Sequence, residues 1–259
     1  MTEPAWQIVT GDGPIIATAI HAGHSLRPEV AELTALADDE RLREEDPFTD
    51  RWVGNGDASI VVDRSRFEVD LNRARDISVY QKPDDAWGLD LWTSPPSAEL
   101  VAASLDVYDE FYRDLAVMCD AAAAANDRFV VFDLHSYNHR RRGADAPVDD
   151  PEANPEINVG TGTVDRALWG TVVDAFSEGM REHPFDGGYL DVRENVRFKG
   201  GFMSRWINER YAGRGCALAI EMKKIYMDEW TGEPYESMIA GIGDALHVAF
   251  GAVRAELDQ

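Results

Sequence analysis

Apolar residues fall into two rhythms along this chain. Short runs rich in β-branched and aromatic side chains alternate with stretches whose apolar residues recur every three or four positions. Pro14–Ile20, Ser59–Asp63, Phe129–Phe132 and Cys216–Lys223 are runs of the first kind and read as strands. Ile157–Thr163 reads as a strand entering a Gly-rich turn, and Tyr189–Val192 as a shorter strand. Ser65–Leu71 also alternates, which predicts a hairpin with Ser59–Asp63 that ends at Asn72–Arg73. Helical spacing covers Glu29–Leu36, Val164–Met180 behind a Thr163 cap, a stretch ending at Tyr211, and Pro234–Leu257. Ser97 is placed to cap a long helix reaching Ala125, with Leu100, Leu105, Tyr108, Tyr112, Leu115 and Cys119 near one face and Asn126 as its stop. Lys82–Pro96, Ala144–Pro155 and Tyr226–Glu233 are left as loops. Strands alternating with helices predict an α/β fold with a mixed, mostly parallel sheet flanked by helices. No Pro/Gly/Ser-rich linker divides the 259 residues, so residues 1–259 read as one domain.

Polar groups gather where these strands end, which is where open α/β sheets bind ligands. Phe129–Phe132 runs into Asp133-Leu134-His135-Ser136, and Pro14–Ile20 runs into His21 and His24. Taken alone, His135 reads equally as a metal-facing imidazole and as a hydrogen-bonded loop histidine. His21 and His24, three apart at a strand-to-helix turn, can converge on one point, although such pairs are common by chance. Glu221 follows five small or apolar residues inside its strand. A buried carboxylate must be paired, metal-bound or given work; pairing to Lys223 or Lys224 is the plainer alternative. Leu42–Trp52 is acidic and reads mainly as a solvated face, with Asp50 as the carboxylate that points inward. Arg73, at a strand end, faces either a pocket or a surface partner. The glycines of Arg197-Phe-Lys199-Gly-Gly201 permit a close backbone approach to a ligand, and the run Arg140–Arg142 either offsets acidic neighbours or lines the mouth of a site for an anion.

Composition narrows the partners. A 44% hydrophobic content with seven tryptophans indicates a packed core. A net charge of −23 argues against nucleic acid or an anionic membrane as partner. No apolar run approaches 18 residues, the length of a membrane span. Met1–Trp6 lacks the basic and apolar regions of a secretory signal, so a cytoplasmic location is expected. Cys119 and Cys216 read as buried small hydrophobes, not as a disulfide or zinc framework. Lysine is confined to Lys82, Lys199, Lys223 and Lys224; both a high-salt solution and a GC-rich genome produce that balance.

Three strand ends carrying His21/His24, His135 and Glu221 resemble, in that order, the zinc carboxypeptidase superfamily. Within it the chain looks most like the N-formylglutamate amidohydrolase family. The matching motifs are Ile20-His21-Ala-Gly23, Thr49-Asp50-Arg-Trp52, Val69-Asp-Leu-Asn-Arg73, Asp133-Leu-His135-Ser136, Asn158-Val-Gly-Thr161, Arg197-Phe-Lys-Gly-Gly201 and Ile220-Glu221-Met222. The resemblance implies a three-layer, phosphorylase/hydrolase-like (zinc carboxypeptidase-like) domain. It also implies one zinc ion per chain, bound by His21, His135 and either Asp50 or His24. The choice arises because His24 stands where the superfamily has a glutamate. Glu221 would be the general base. Arg73, Arg197, Lys199 and Asn158 would face a small anionic substrate, with N-formyl-L-glutamate as reference. A carboxypeptidase, an aspartoacylase-like deacylase and a metal-binding protein without turnover are the alternatives, the last motivated by His24.

The charge generates its own test. Self-repulsion at −23 is screened as the Debye length falls from about 10 Å at 0.1 M salt to about 3 Å at 1 M. The melting temperature should therefore rise in molar KCl, and a value unchanged or lowered would reject the expectation.

Overall fold

The side-chain period of two gives the central strands two dry faces, and a different pair of helices covers each. The computed structural model describes residues 5–259. The reading of the N-terminus made on Met1–Trp6 rests largely on residues 1–4, outside that range. Nine strands are present among the described residues: β1 Trp6–Val9, β2 Ile15–Ala19, β3 Ala58–Val62, β4 Phe129–Tyr137, β5 Ile157–Gly160, β6 Pro184–Phe185, β7 Gly188–Tyr189, β8 Val192–Glu194 and β9 Gly215–Lys223. Seven of them form one sheet in the order β1-β3-β2-β4-β9-β5-β8, while β6 and β7 make a small hairpin. β3, β2, β4 and β9 run parallel to their neighbours in that series, as do β5 and β8; only β1–β3 and β5–β9 are antiparallel.

The helices are α1 Pro28–Ala31, α2 Asp38–Glu44, α3 Ala98–Ala125, α4 Arg166–Glu182, α5 Phe202–Arg210 and α6 Glu236–Leu257. Val130, Phe132 and Leu134 of β4 and Cys216, Leu218 and Ile220 of β9 point to the layer of α4 and α6. Phe129, Val131 and Ala217 point to the layer of α3 and α5. The sheet is thus the middle of three layers. By length and composition α6 would pass as a membrane span. Its apolar face, including Ile242, Leu246 and Phe250, is instead packed into the core.

The expected α/β fold is the one observed, and several boundaries coincide. The Ser97 hydroxyl accepts from the Leu100 amide and starts α3, which stops before Asn126. Cys119 and Cys216 are free and buried. Other expectations are corrected. Ser65–Leu71 is a turn-rich loop, not a hairpin strand. Its alternation reflects buried Phe67, Val69 and Leu71, but Glu68 and Asp70 between them are buried as well. The helix expected over Glu29–Leu36 stops at Ala31. Beyond it the long loop takes over the backbone bonds: the Ala35 amide donates to the Leu91 carbonyl and the Thr93 amide to Leu33. Asp165, not Thr163, caps α4; the Thr163 hydroxyl accepts from Asn208 of α5. β1 has no counterpart in the sequence reading.

Phe132 is fully buried between Phe176 of α4 at 4.9 Å and Phe250 of α6 at 4.1 Å, both stacked on it. Phe132→Ala should cost about 3–5 kcal/mol through lost burial and a residual cavity. Urea unfolding measures this, and a loss below about 1 kcal/mol would mean the layer repacks.

Candidate active site

β4 and β9 pair in register, so His135 lies directly beside Glu221, and Asn158 of β5 is the neighbour of Glu221 on the other side. Asp133, His135 and Glu221 have the same parity as Val131 and Ala217, so their side chains leave the sheet on the α3/α5 side, toward its C-terminal edge. The turn that follows β2 delivers His21 to the same place, and the two imidazole rings stand 4.9 Å apart.

Each imidazole is held by a carboxylate at one nitrogen and faces a shared carboxylate with the other. His21 Nε2 lies 2.8 Å from Asp70 Oδ1, and His135 Nε2 lies 2.8 Å from Asp133 Oδ2. Their Nδ1 atoms approach the same Asp46 oxygen, at 3.4 Å for His21 and 3.0 Å for His135. Ligand atoms of His21, Asp46 and His135 lie within 4.8 Å of one another, and all three residues are buried. His21 Nδ1 is buried without a hydrogen-bond partner. Two imidazoles, one carboxylate and an unpartnered nitrogen among them form a donor set that could hold a zinc ion, and the Asp70 and Asp133 contacts have the form of the outer contacts that orient metal-binding histidines elsewhere.

The supporting carboxylates are themselves anchored. Asp133 accepts from the Thr18 hydroxyl at 3.1 Å. Asp70 accepts from the Asn72 amide at 2.9 Å, from Arg66 at 2.9 Å and from the Tyr80 hydroxyl. Asp46 accepts from the Ser136 hydroxyl at 3.1 Å. Burial opposes ionisation of Asp46, but the two imidazoles, His135 foremost, win and hold it well below the usual carboxylate range. Asp70 is likewise driven down, with burial outweighed by Arg66 and His21. Burial lowers the His135 pKa, and the Asp133 and Asp46 carboxylates more than offset this.

A cavity of about 250 Å³ opens over this cluster. Glu221, Arg66, Arg73, Trp87, Arg141 and Lys199 are among its lining residues. Arg73 stacks 4.5 Å over the Tyr80 ring, and Arg66 4.9 Å over Trp87. Asn158 does not line the cavity. Its side-chain oxygen accepts from the Arg197 and Phe198 amides and its nitrogen donates to the Phe198 carbonyl, so it fixes the loop that presents Lys199. Gly160 lets this loop pass close by, since a Cβ there would lie 2.7 Å from the Gly200 amide nitrogen. Arg197 is also outside the lining; its guanidinium is bonded to the Asn154 side chain and stacks over Tyr137 at 5.3 Å.

Among the residues picked out from sequence, the structure brings together His21, His135 and Glu221, with Arg73 and Lys199 on the cavity wall. It does not bring His24 or Asp50 to the cluster. After His21 the chain runs beside residues 63–65, with the Ser25 amide on the Asp63 carbonyl. That course carries His24 to Glu45 Oε2 at 2.6 Å and Arg41 at 3.1 Å. Asp50 is exposed in a short 3-10 helix, Thr49–Asn55, whose buried residues are Thr49, Trp52 and Val53. The carboxylate that reaches the histidines is Asp46, within the acidic run read as solvated. Its one sequence signal is its place before Pro47-Phe48, where the acidic run turns apolar. Arg66 was also missed, since it lies in the stretch read as a strand. Lys223 and Lys224 do not pair with Glu221: their ammonium groups go to the Asn154 carbonyl and to the Arg43 and Glu45 carbonyls.

Glu221 sets a pH dependence. Burial pushes its carboxyl up to about 8 from 4.5, against the pull of His135. In metal-stripped protein the stability linked to this proton is complete below the unfolded value and is lost as pH rises through about 8. Glu221→Gln does not titrate. In chelator, its stability relative to the parent should therefore grow by up to about 4 kcal/mol between about pH 5 and 8, at 1.36 kcal/mol per unit. Urea midpoints across that range measure the difference; one independent of pH would overturn the assignment.

The N-formylglutamate amidohydrolase family model matches residues 13–227. Among solved structures, an N-formylglutamate amidohydrolase from Ralstonia eutropha JMP134 superposes with a TM-score of 0.74 at 18% identity, covering 98% of each chain. A gene product of Agrobacterium tumefaciens gives 0.70 at 16% identity, over 98% of this chain and 96% of its own. No curated protein matches the sequence. The match over residues 13–227 shows that the chain belongs to the N-formylglutamate amidohydrolase family.

Proposed function

We propose that the protein hydrolyses the amide bond of an N-acyl acidic amino acid, with N-formyl-L-glutamate as the reference substrate, using one zinc ion held by His21, His135 and Asp46. The observation that carries this reading is Glu221 standing in register beside His135, at the edge of the only group of metal-competent donors found among the described residues. Zinc, when bound, supplies a Lewis acid and brings hydroxide within reach of neutral pH. Asp70 and Asp133 fix the rings so that Nδ1 faces Asp46. Glu221 takes a proton from the attacking water and delivers it to the leaving nitrogen as the C–N bond breaks, giving the free acid and the amine. Its lack of an ion pair to either neighbouring lysine leaves it available for this task and speaks for turnover over mere binding. Arg73, Arg66 and Lys199 line the wall that would meet the substrate carboxylates, guanidinium groups bidentately and the ammonium as a point charge. Asn158 and Arg197 serve this wall by holding the loop in place.

Formate release from N-formyl-L-glutamate, with zinc content measured on the same samples, tests the reading. Glu221→Gln should keep its zinc and lose about 10²–10⁴-fold in kcat, roughly 3–5 kcal/mol of barrier. His21→Ala, His135→Ala and Asp46→Ala should lose zinc, whereas His24→Ala and Asp50→Ala should retain it. A zinc-loaded Glu221→Gln as fast as the parent would remove Glu221 from the chemistry, and full zinc in Asp46→Ala would remove that ligand.

A further inference from the structure

Of the three proposed ligands, only Asp46 is not carried by the sheet. His135 lies within β4 and His21 follows β2, but Asp46 sits on a turn two residues beyond the end of α2. Helix-end carbonyls have no partner within the helix, and a ligand on a turn must be held within about half an ångström to be useful. The group that holds this turn comes from another element. Lys224, next after the end of β9, donates from Nζ to the Arg43 carbonyl at 2.5 Å and to the Glu45 carbonyl at 2.7 Å. Two residues on, the Tyr226 hydroxyl donates to the Pro47 carbonyl at 3.1 Å. Asp46 is therefore tied on both sides to one short segment. That segment is itself pinned to the sheet, since the Lys224 amide donates to the Tyr137 carbonyl at 3.0 Å.

We propose that Lys224 is a positioning residue for Asp46: its buried ammonium caps the end of α2 and so presents the Asp46 carboxylate to His21 and His135. This rests on the ligand set given above. Lys224 is 1% exposed. Burying an ammonium costs several kcal/mol, and a glycine or a neutral donor would satisfy two carbonyls for less. What a lysine adds is positive charge within electrostatic reach of a carboxylate that must stay ionised between two imidazoles. Glu44, Glu45, Asp46 and Glu229 are the carboxylates that act on it. The ammonium of Lys223, its neighbour, donates instead to the Asn154 carbonyl.

The test is zinc affinity of the full chain, by competition with a chromophoric chelator, together with the visible spectrum of the cobalt(II)-loaded protein. Neither readout depends on turnover. Lys224→Met should bind zinc about 10–100-fold more weakly, the range for loss of an outer partner, and its cobalt spectrum should shift toward that of Asp46→Ala. Lys223→Met should bind as the parent does. Lys224→Arg keeps the charge but not the fit to both carbonyls, and should weaken zinc by about tenfold; it decides the matter if Lys224→Met does not fold. Parent-like zinc affinity and cobalt spectrum in folded Lys224→Met, or in Lys224→Arg where only that variant folds, overturn the proposal. A parent chain that binds no zinc overturns the ligand set, and this inference with it.

Discussion

The parallel register of β4 on β9 is the constraint on which the rest depends. It sets His135 beside Glu221, and the period of two then sends both to the same face while their apolar neighbours fill the opposite layer. A slip of one residue would turn every side chain of the strand over, moving Phe132 out of its stack with Phe176 and Phe250 as it moved His135 out of the site. The core therefore enforces the geometry of the chemistry: the packing that stabilises the fold and the placement of the site are one choice of register.

That choice places several carboxylates in a dry region of a protein already at −23. Asp46, Asp70 and Asp133 are buried within reach of two histidines, and each accepts at least one further hydrogen bond. Such a cluster is costly unless every member is satisfied. One exception lies inside the candidate ligand set: His21 Nδ1 is buried without a hydrogen bond. A divalent cation there would complete the set, and its charge would oppose the effect of burial on Glu221.

The strands and their ends were legible in the sequence because they obey local rules. Phe129–Phe132 and Cys216–Ile220 are apolar runs, and the polar residues that interrupt them, His135 and Glu221, stand out against that background. Asp46 was not legible. It follows Glu44 and Glu45, where composition reads as solvent-facing, and its inward course is set by contacts from the segment after β9, far along the chain. His24 misled for the converse reason. Spacing of three after His21 places two groups together only if the chain turns, and backbone pairing with residues 63–65 keeps it extended. Asn158 and Arg197 lie in a motif of the family, yet their side chains spend their hydrogen bonds on the loop; a motif marks that residues matter without saying whether they touch the ligand.

The positive wall of the cavity would let a strongly acidic chain receive the anionic substrate proposed above. Two guanidinium groups, Arg66 at 2.9 Å and Arg73 at 3.4 Å, share one oxygen of Asp70, whose other oxygen is committed to His21. One carboxylate therefore faces two cations, and the wall keeps net positive charge. Stacking on Trp87 and Tyr80 fixes the planes of both groups without consuming their edge donors. Arginine suits this arrangement where lysine does not, because a guanidinium presents one face to a ring, one edge to Asp70 and a further edge to the cavity. The scarcity of lysine elsewhere then sharpens the contrast with Lys199, an exposed point charge on the cavity wall, and with Lys224, whose ammonium is spent on two carbonyls.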